Sequence, residues 1–339
     1  MNLKMHQLMS GVLLLSLTLS TEAVELAPGW LATRNQNPFA LDLGLPPAPT
    51  VPDSGTWLLD TSVTISNTEL GQSRDDTRVL VDLESRESRL SLTYAWNDEW
   101  SARISLSQWR ASAGFLDGPV ERFHRIFGFD NGDRGQLDTV APFVALNRGT
   151  QQTVLLDRPE TSVGPLQLDL NRQWQTDSFG RVVLSLGASI PVSEGLFIEE
   201  SRDADLSLAI STLKPMGERW LLGARLGMLA RGDDERFTAK THPMVSFASV
   251  LLRYRLGSQW SAVVQSDAHD TLYRGLPALP GSAGNQLSFG LIRKLGQRGE
   301  IVATLGEDVP ALHSADIAEA VHYRRSAILA LSDPPEFAS

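Results

Sequence analysis

Cysteine is absent from the 339 residues, and lysine is scarce, occurring only at Lys4, Lys214, Lys240 and Lys294. Without a thiol there is no disulfide framework, no thiolate metal site, no cysteine nucleophile and no cysteine for a lipid anchor. Positive charge is also in deficit, with 30 Lys+Arg against 40 Asp+Glu and a formal net charge of −10. Nucleic acid is thereby excluded as a partner, because affinity for it comes mainly from neutralising phosphates with Lys and Arg. Long apolar runs are missing too: beyond residue 23 no charge-free apolar stretch approaches the roughly 20 residues a membrane-crossing helix requires. The one apolar run, Gly11 to Leu19, follows Lys4 and precedes Ser20, Thr21 and Ala23. These are the three parts of a secretory signal, so residues 1–23 are expected to be cleaved from an exported chain. Export without cysteine points most simply to a Gram-negative envelope.

What the chain does have, after a Pro-rich lead at residues 24–55, is a series of segments about ten residues long that alternate apolar and polar side chains. In Trp220 to Arg231 the even positions Trp220, Leu222, Ala224, Leu226, Met228 and Ala230 are apolar, whereas the odd set includes Gly223, Arg225, Gly227 and Arg231. Leu166, Leu168, Leu170 and Trp174 alternate with Gln167, Asp169, Asn171 and Gln173; Ala102, Ile104 and Leu106 alternate with Ser101, Arg103, Ser105 and Ser107. Alternation alone fits a soluble sandwich with its apolar face inward or a membrane barrel with that face outward.

The connections separate the two. Very short ones, each beside an aromatic or a turn cluster, fall at Trp96–Trp100, Trp174–Phe179, Lys214–Trp220, Gly257–Trp260 and Gly296–Gly299. Longer polar ones fall around 67–77, 111–161, 191–203, 232–245, 268–285 and 306–315. Tight turns at one end, long loops at the other and aromatics at the interface are the habit of transmembrane barrels. The expectation is an all-β, antiparallel up-and-down barrel spanning residues 56–325, with a tail at 326–339. Its strands, about twelve, are placed at 56–66, 78–96, 99–109, 162–175, 178–191, 203–213, 219–231, 246–256, 259–268, 286–296, 299–306 and 316–325. An even count puts both termini on the short-turn side, and the lead is read as a periplasmic segment outside the barrel.

Candidate chemistry is sparse. No His-x-x-x-His pair supplies a metal face and no Gly-x-Ser-x-Gly elbow supplies a nucleophile, so no catalytic residue, metal ligand or cofactor is assigned. Asp267-Ala268-His269-Asp270 has residue types suited to a base or a metal but reads as a solvated loop group. Specificity is sought instead on the lumen face, where Arg103, Arg181, Arg225 and Arg253, with Asp169 and Asp205, are the candidate solute-binding residues. Arg offers a planar fork that grips carboxylate or phosphate; equally, Arg and Asp can pair across a small lumen and fill it. The longest loop begins Gly114 to Gly128, where Asp117 suits a helix N-cap and Pro119 the first turn. There Phe115, Asp117, Phe123, His124 and Phe127 are candidates for a plug or gate, the alternative being a helix packed on the rim.

Three of these segments carry a resemblance: Arg34-Asn35-Gln36-Asn37-Pro38-Phe39, Gly114 to Gly128 with its continuation Asp130-Asn131-Gly132-Asp133-Arg134, and Pro310-Ala311-Leu312-His313 with Asp316. Together they resemble the family called domain of unknown function 3187, which looks like Gram-negative outer-membrane β-barrels and covers essentially the whole mature chain. The resemblance implies fold and outer-membrane location and brings no substrate or site residue. The expected function is a narrow channel or binding barrel for small polar or anionic solutes, with the long loop controlling access. The expected partners are outer-membrane lipids, lipopolysaccharide and the barrel-assembly machinery. A closed structural or surface-interaction barrel is the second reading. An outer-membrane lipid hydrolase, which would need Ser, His and an orienting Asn or Asp on its exterior, is the third.

Overall fold

The computed structural model describes residues 30–33, 35–37, 40–41, 44–74, 77–114, 116, 118, 122, 125–126, 141–148, 151–192, 203–232, 242–273, 283–296, 299–308 and 317–327. The signal at 1–23 and the tail beyond 327 lie outside them.

Fifteen strands occur among the described residues: β1 (Thr56–Arg74), β2 (Thr77–Ala95), β3 (Trp100–Ser112), β4 (Phe143–Arg148), β5 (Gln151–Leu156), β6 (Glu160–Val163), β7 (Leu166–Thr176), β8 (Gly180–Ile190), β9 (Asp205–Met216), β10 (Trp220–Ala230), β11 (Met244–Arg255), β12 (Trp260–His269), β13 (Gly284–Leu295), β14 (Gly299–Asp308) and β15 (Ile317–Ala327). Twelve of them form a ring of antiparallel neighbours running β1, β2, β3, β7, β8, β9, β10, β11, β12, β13, β14, β15. β15 returns to β1, with Trp57 opposite Ala327 and Asn67 opposite Ile317, so the ring has no free edge. Closure matters because an open edge in hydrocarbon would leave backbone groups unpaired.

The ring strands are the twelve the alternation placed, the last one included. Three features went beyond it. The stretch 67–74, read as loop, continues β1 and pairs with Thr77–Glu84 of β2. The hairpin β4–β5 lies within the 111–161 connection and adds to β2 at Thr77–Asp82. Before β7, the short β6 also pairs with β3, and the register slips by one residue at Gly164-Pro165, where proline has no N–H to give the ladder.

The barrel is apolar outside and polar inside. Leu226 is 63% exposed while its neighbour Arg225 is 5% exposed, and the same inversion runs along β3, where Ile104 and Leu106 face out and Ser101, Ser105 and Ser107 are buried. A soluble sandwich buries the other face, so this is the arrangement of a membrane-spanning barrel. Aromatics gather at the short-turn end: Trp96 stacks on Trp100 with ring centroids 6.4 Å apart, Trp57 on Tyr94 at 4.5 Å, and Trp220 lies 4.5 Å from Tyr254. Such a girdle suits the level where hydrocarbon meets headgroup. Gly217 and Gly296, at φ 68°, supply the left-handed residues that two of these tight turns require.

The described part of the lead, from Trp30 on, lies inside the barrel. Trp30, Leu31, Asn35, Gln36, Asn37, Ala40 and Leu41 are all buried, and the chain from Gly44 to Pro52 continues along the lumen to β1. The sequence reading assigned it to the periplasm, and its prolines cannot join a ladder. Inside a barrel whose wall is already fully paired, that same incapacity is no handicap.

Candidate functional site: the occupied lumen

The described residues between Trp30 and Pro52 form two arms inside the barrel. The first rises from Trp30 and Leu31, which pack with Leu221, Leu251, Val263, Ile292 and Val302 in the half nearer the short turns. At the long-loop end Ala40 and Leu41 join a second apolar cluster with Val79, Val81, Leu83, Trp109, Leu229, Val245, Leu272 and Tyr273. The reversal between the arms is tied locally: Asn37 N donates to Asn35 Oδ1 at 2.8 Å, and Ala40 N to Asn37 O at 2.8 Å. The second arm then descends from Gly44 to Thr56, where β1 begins. Glycines on the lumen face make room for it. A Cβ at Gly290 would stand 2.5 Å from Leu31 Cδ2, and one at Gly223 would stand 3.0 Å from the Trp30 ring.

The rising arm is held chiefly through donors. Leu31 N donates to Gln265 Oε1 (3.0 Å), Thr33 Oγ1 to Asp267 Oδ2 (2.6 Å) and Gln36 Nε2 to Glu87 Oε2 (3.1 Å). His269 donates from Nδ1 to the Asp270 carbonyl at 2.8 Å, which leaves Nε2 to accept from Asn35 Nδ2 at 2.9 Å. Asp267 and His269, read from sequence as solvated loop groups, are lumen-facing anchors instead.

The descending arm is held chiefly through acceptors. Pro46 and Pro47 have no N–H, and the wall opposite them offers guanidinium groups, which only donate. Arg225 Nη1 donates to Pro46 O at 2.9 Å, Arg103 Nη2 to Pro47 O at 2.9 Å and Arg103 Nη1 to Ala48 O at 3.2 Å. Arg103 also pairs with Asp169 across β3 and β7 (Nε to Oδ2, 3.0 Å). Asp205 receives Gly44 N on one oxygen and Gly232 N on the other, both at 3.1 Å.

The six lumen residues named from sequence therefore divide. Arg103, Arg225, Asp169 and Asp205 meet around the descending arm. Arg253 is buried lower in the wall, donating to Ser261 Oγ at 3.0 Å, and Arg181 is half-buried at the start of β8. The loop candidates Phe115, Asp117, Phe123, His124 and Phe127 lie outside the described residues. Around them Gly118, Arg122, Arg125 and Ile126 are helical and exposed, and Leu116 packs on Ile65 and Leu305, which alternate with the lumen-facing Thr64, Ser66, Thr304 and Gly306. That contact puts Leu116 against the outside of the wall. Sequence reasoning missed Trp30, Leu31, Pro46, Pro47 and Gln265, and gave Asp267 no place in the lumen. The available signal was glycine at inward positions of β10, which leaves a lumen either wide or occupied.

Among solved structures, an outer membrane channel from Pseudomonas putida F1 is similar with a TM-score of 0.56, at 12% identity over 80% of this chain and 96% of that one. The NanC porin follows with a TM-score of 0.46 at 9% identity, covering 79% of this chain and 98% of its own. The CymD monoaromatic hydrocarbon channel has a TM-score of 0.40 at 14% identity, covering 91% and 99%. The first of these shares the fold. No curated protein matches the sequence. Residues 8–325, which include the whole described part of the inserted segment, match the family described as protein of unknown function (DUF3187), and the chain belongs to that family.

Proposed function

We propose that the protein is an outer-membrane channel for small polar solutes, anions among them, and that the described conformation is its closed state with residues 30–52 as the plug. The observation that carries this reading is the lumen wall itself. Between an apolar cluster at each end it carries buried polar and charged side chains, Arg103, Asp169, Asp205, Arg225 and Gln265 among them, yet it is covered by a segment that belongs to no strand and continues into the barrel at Thr56. Twelve strands about 4.8 Å apart and tilted about 40° set the backbone cylinder at a radius of roughly 12 Å, and inward side chains leave a bore roughly 10 Å across when nothing else fills it. Two extended arms with their side chains occupy that space. Outer-membrane location is part of the proposal, supported by the apolar exterior, the aromatic girdle and the cleavable signal expected at residues 1–23.

The test compares the refolded chain with a variant lacking residues 30–50, both checked for the heat-sensitive gel shift of a closed barrel. The channel reading expects planar-bilayer current from the deletion variant and near silence from the full chain. Silence from both, with both barrels folded, overturns it in favour of the second reading, a filled structural barrel, which the occupied lumen also supports.

A further inference from the structure

We propose that Arg89, Arg103 and Arg225 form an anion-recognition site in the lumen, that the carbonyls of Pro46, Pro47 and Ala48 occupy it in the closed state, and that a small carboxylate solute opens the lumen by competing for it. The opening step rests on the channel reading; the site does not.

Three observations converge on the same few ångströms. Two guanidinium groups, from β3 and β10, donate to three consecutive carbonyls of one chain segment. A third, Arg89 of β2, lines both small cavities that flank this stretch, one bounded also by Pro46, Pro47 and Arg225, the other by Pro47, Ala48 and Arg103. Finally, Arg225 is not satisfied by what it has. It is buried over the Phe247 ring, 4.9 Å from the centroid, and its Nε and Nη2 have no hydrogen-bond partner among the described residues. These open donors border a cavity of about 40 Å³.

A neutral carbonyl presents one oxygen to a guanidinium that can engage two. A carboxylate presents two in the matching plane and carries the charge that makes such bonds roughly twice as strong. The Pro46-Pro47 arm thus satisfies the arginines in part: it brings acceptors and no competing N–H at those two residues, and it leaves two donors for a better ligand. Arg89 adds charge within reach while tied to Glu87 Oε1 at 2.8 Å. A ligand seated on this cluster removes the contacts that hold the descending arm, so binding and unplugging are exclusive events on one surface.

Because the chain has no cysteine, Ala40→Cys places a single thiol at the buried tip of the plug. Its labelling by a membrane-impermeant maleimide then reports release. The full chain in vesicles is treated with sodium succinate, with sodium chloride at equal ionic strength and glucose as comparators. A ligand that binds only the unplugged form raises that form about tenfold when present at ten times its Kd. The expected result is labelling roughly tenfold faster in saturating succinate, unchanged in the comparators, and insensitive to succinate in Arg103→Gln and Arg225→Gln barrels that retain the heat-sensitive shift. Arg225→Lys, which keeps the charge but loses the fork, is expected to respond weakly. No succinate effect, or an equal effect of chloride, overturns the site. Should the arginine variants fail to fold, chemical-shift or calorimetric binding of succinate to a folded chain lacking residues 30–50 decides, with absence of binding overturning it. Succinate-dependent labelling without current through that deletion variant keeps the site and removes the channel; current without succinate dependence does the reverse.

Discussion

Leu31→Ala is the sharpest probe of whether the plug is in equilibrium with an open state. Leu31 is 2% exposed, enclosed by Leu251, Val263, Ile292 and Val302, and seated over Gly290, where even a Cβ would collide with it. Its backbone is clamped as well, since Gln265 accepts from Leu31 N at 3.0 Å and donates to Leu31 O at 3.2 Å. Truncating a buried leucine costs about 2–5 kcal/mol, the higher values where the surroundings cannot collapse into the void. A barrel wall locked by hydrogen bonds on both sides of every strand is such a surrounding. The cost falls on the plugged state, because the barrel ring closes without residue 31. About 3 kcal/mol taken from the plugged state raises the unplugged population roughly 100-fold. Single-channel recording of the full chain reads this as open probability, and Leu226→Ala, an equal truncation on the lipid face, serves as comparator. An open probability equal to that of the unmodified chain, with the gel shift intact, refutes the reasoning: the segment would then be a fixed part of the core.

Three further outcomes follow from the same geometry. A Cβ at Gly187 lies 3.6 Å from Pro46 Cβ, inside the roughly 3.5–4.5 Å a disulfide spans, so Pro46→Cys with Gly187→Cys, in a Ser207→Ala background that clears the neighbouring hydroxyl, should lock the plug; current in the oxidised Leu31→Ala barrel should fall and return on reduction. Leu226→Arg, in the middle of β10 on the lipid face, should destabilise the barrel by roughly 2–4 kcal/mol in denaturant-driven folding into vesicles, whereas a cost near zero would show that this face does not meet hydrocarbon. Asp169→Ala strands the buried Arg103 guanidinium and should cost about 3–5 kcal/mol in the same assay, with Arg103→Met added to it recovering most of the loss.

The plug also supplies partners to charged groups of the lumen. Arg103 meets Asp169, but Arg225, Asp205, Asp267 and Glu87 spend hydrogen bonds on the inserted chain. Buried polar groups need partners, and backbone amides and carbonyls supply them at a distance that short carboxylates across a wide bore do not bridge. Arg–Asp pairing, one of the two fates open to these residues from sequence, accounts for the Arg103–Asp169 contact but not for the bonds to the inserted chain.

How much was legible follows from the range of each interaction. The period-two pattern of β10, with Leu222, Leu226 and Met228 against Gly223, Arg225 and Gly227, reports the two environments of one strand and needs no knowledge of any other segment. The alternation of short and long connections, with tryptophans beside the short ones, then set the membrane barrel above the sandwich and placed all twelve ring strands. Register, closure of β15 on β1, and the extension of β1 to Arg74 depend on which strand sits opposite. The course of residues 30–52 depends on more: a proline-rich stretch carries no periodicity to show which surface it lies on, and its partners Gln265, Asp267, Arg103 and Arg225 stand 50 to more than 200 residues away along the chain. The sequence by itself determined the barrel, its strand count and its two faces, because those are written in local alternation; only the tertiary structure decided that the lumen is occupied, and by which residues, because that contact joins segments with no pattern in common except complementary donors and acceptors.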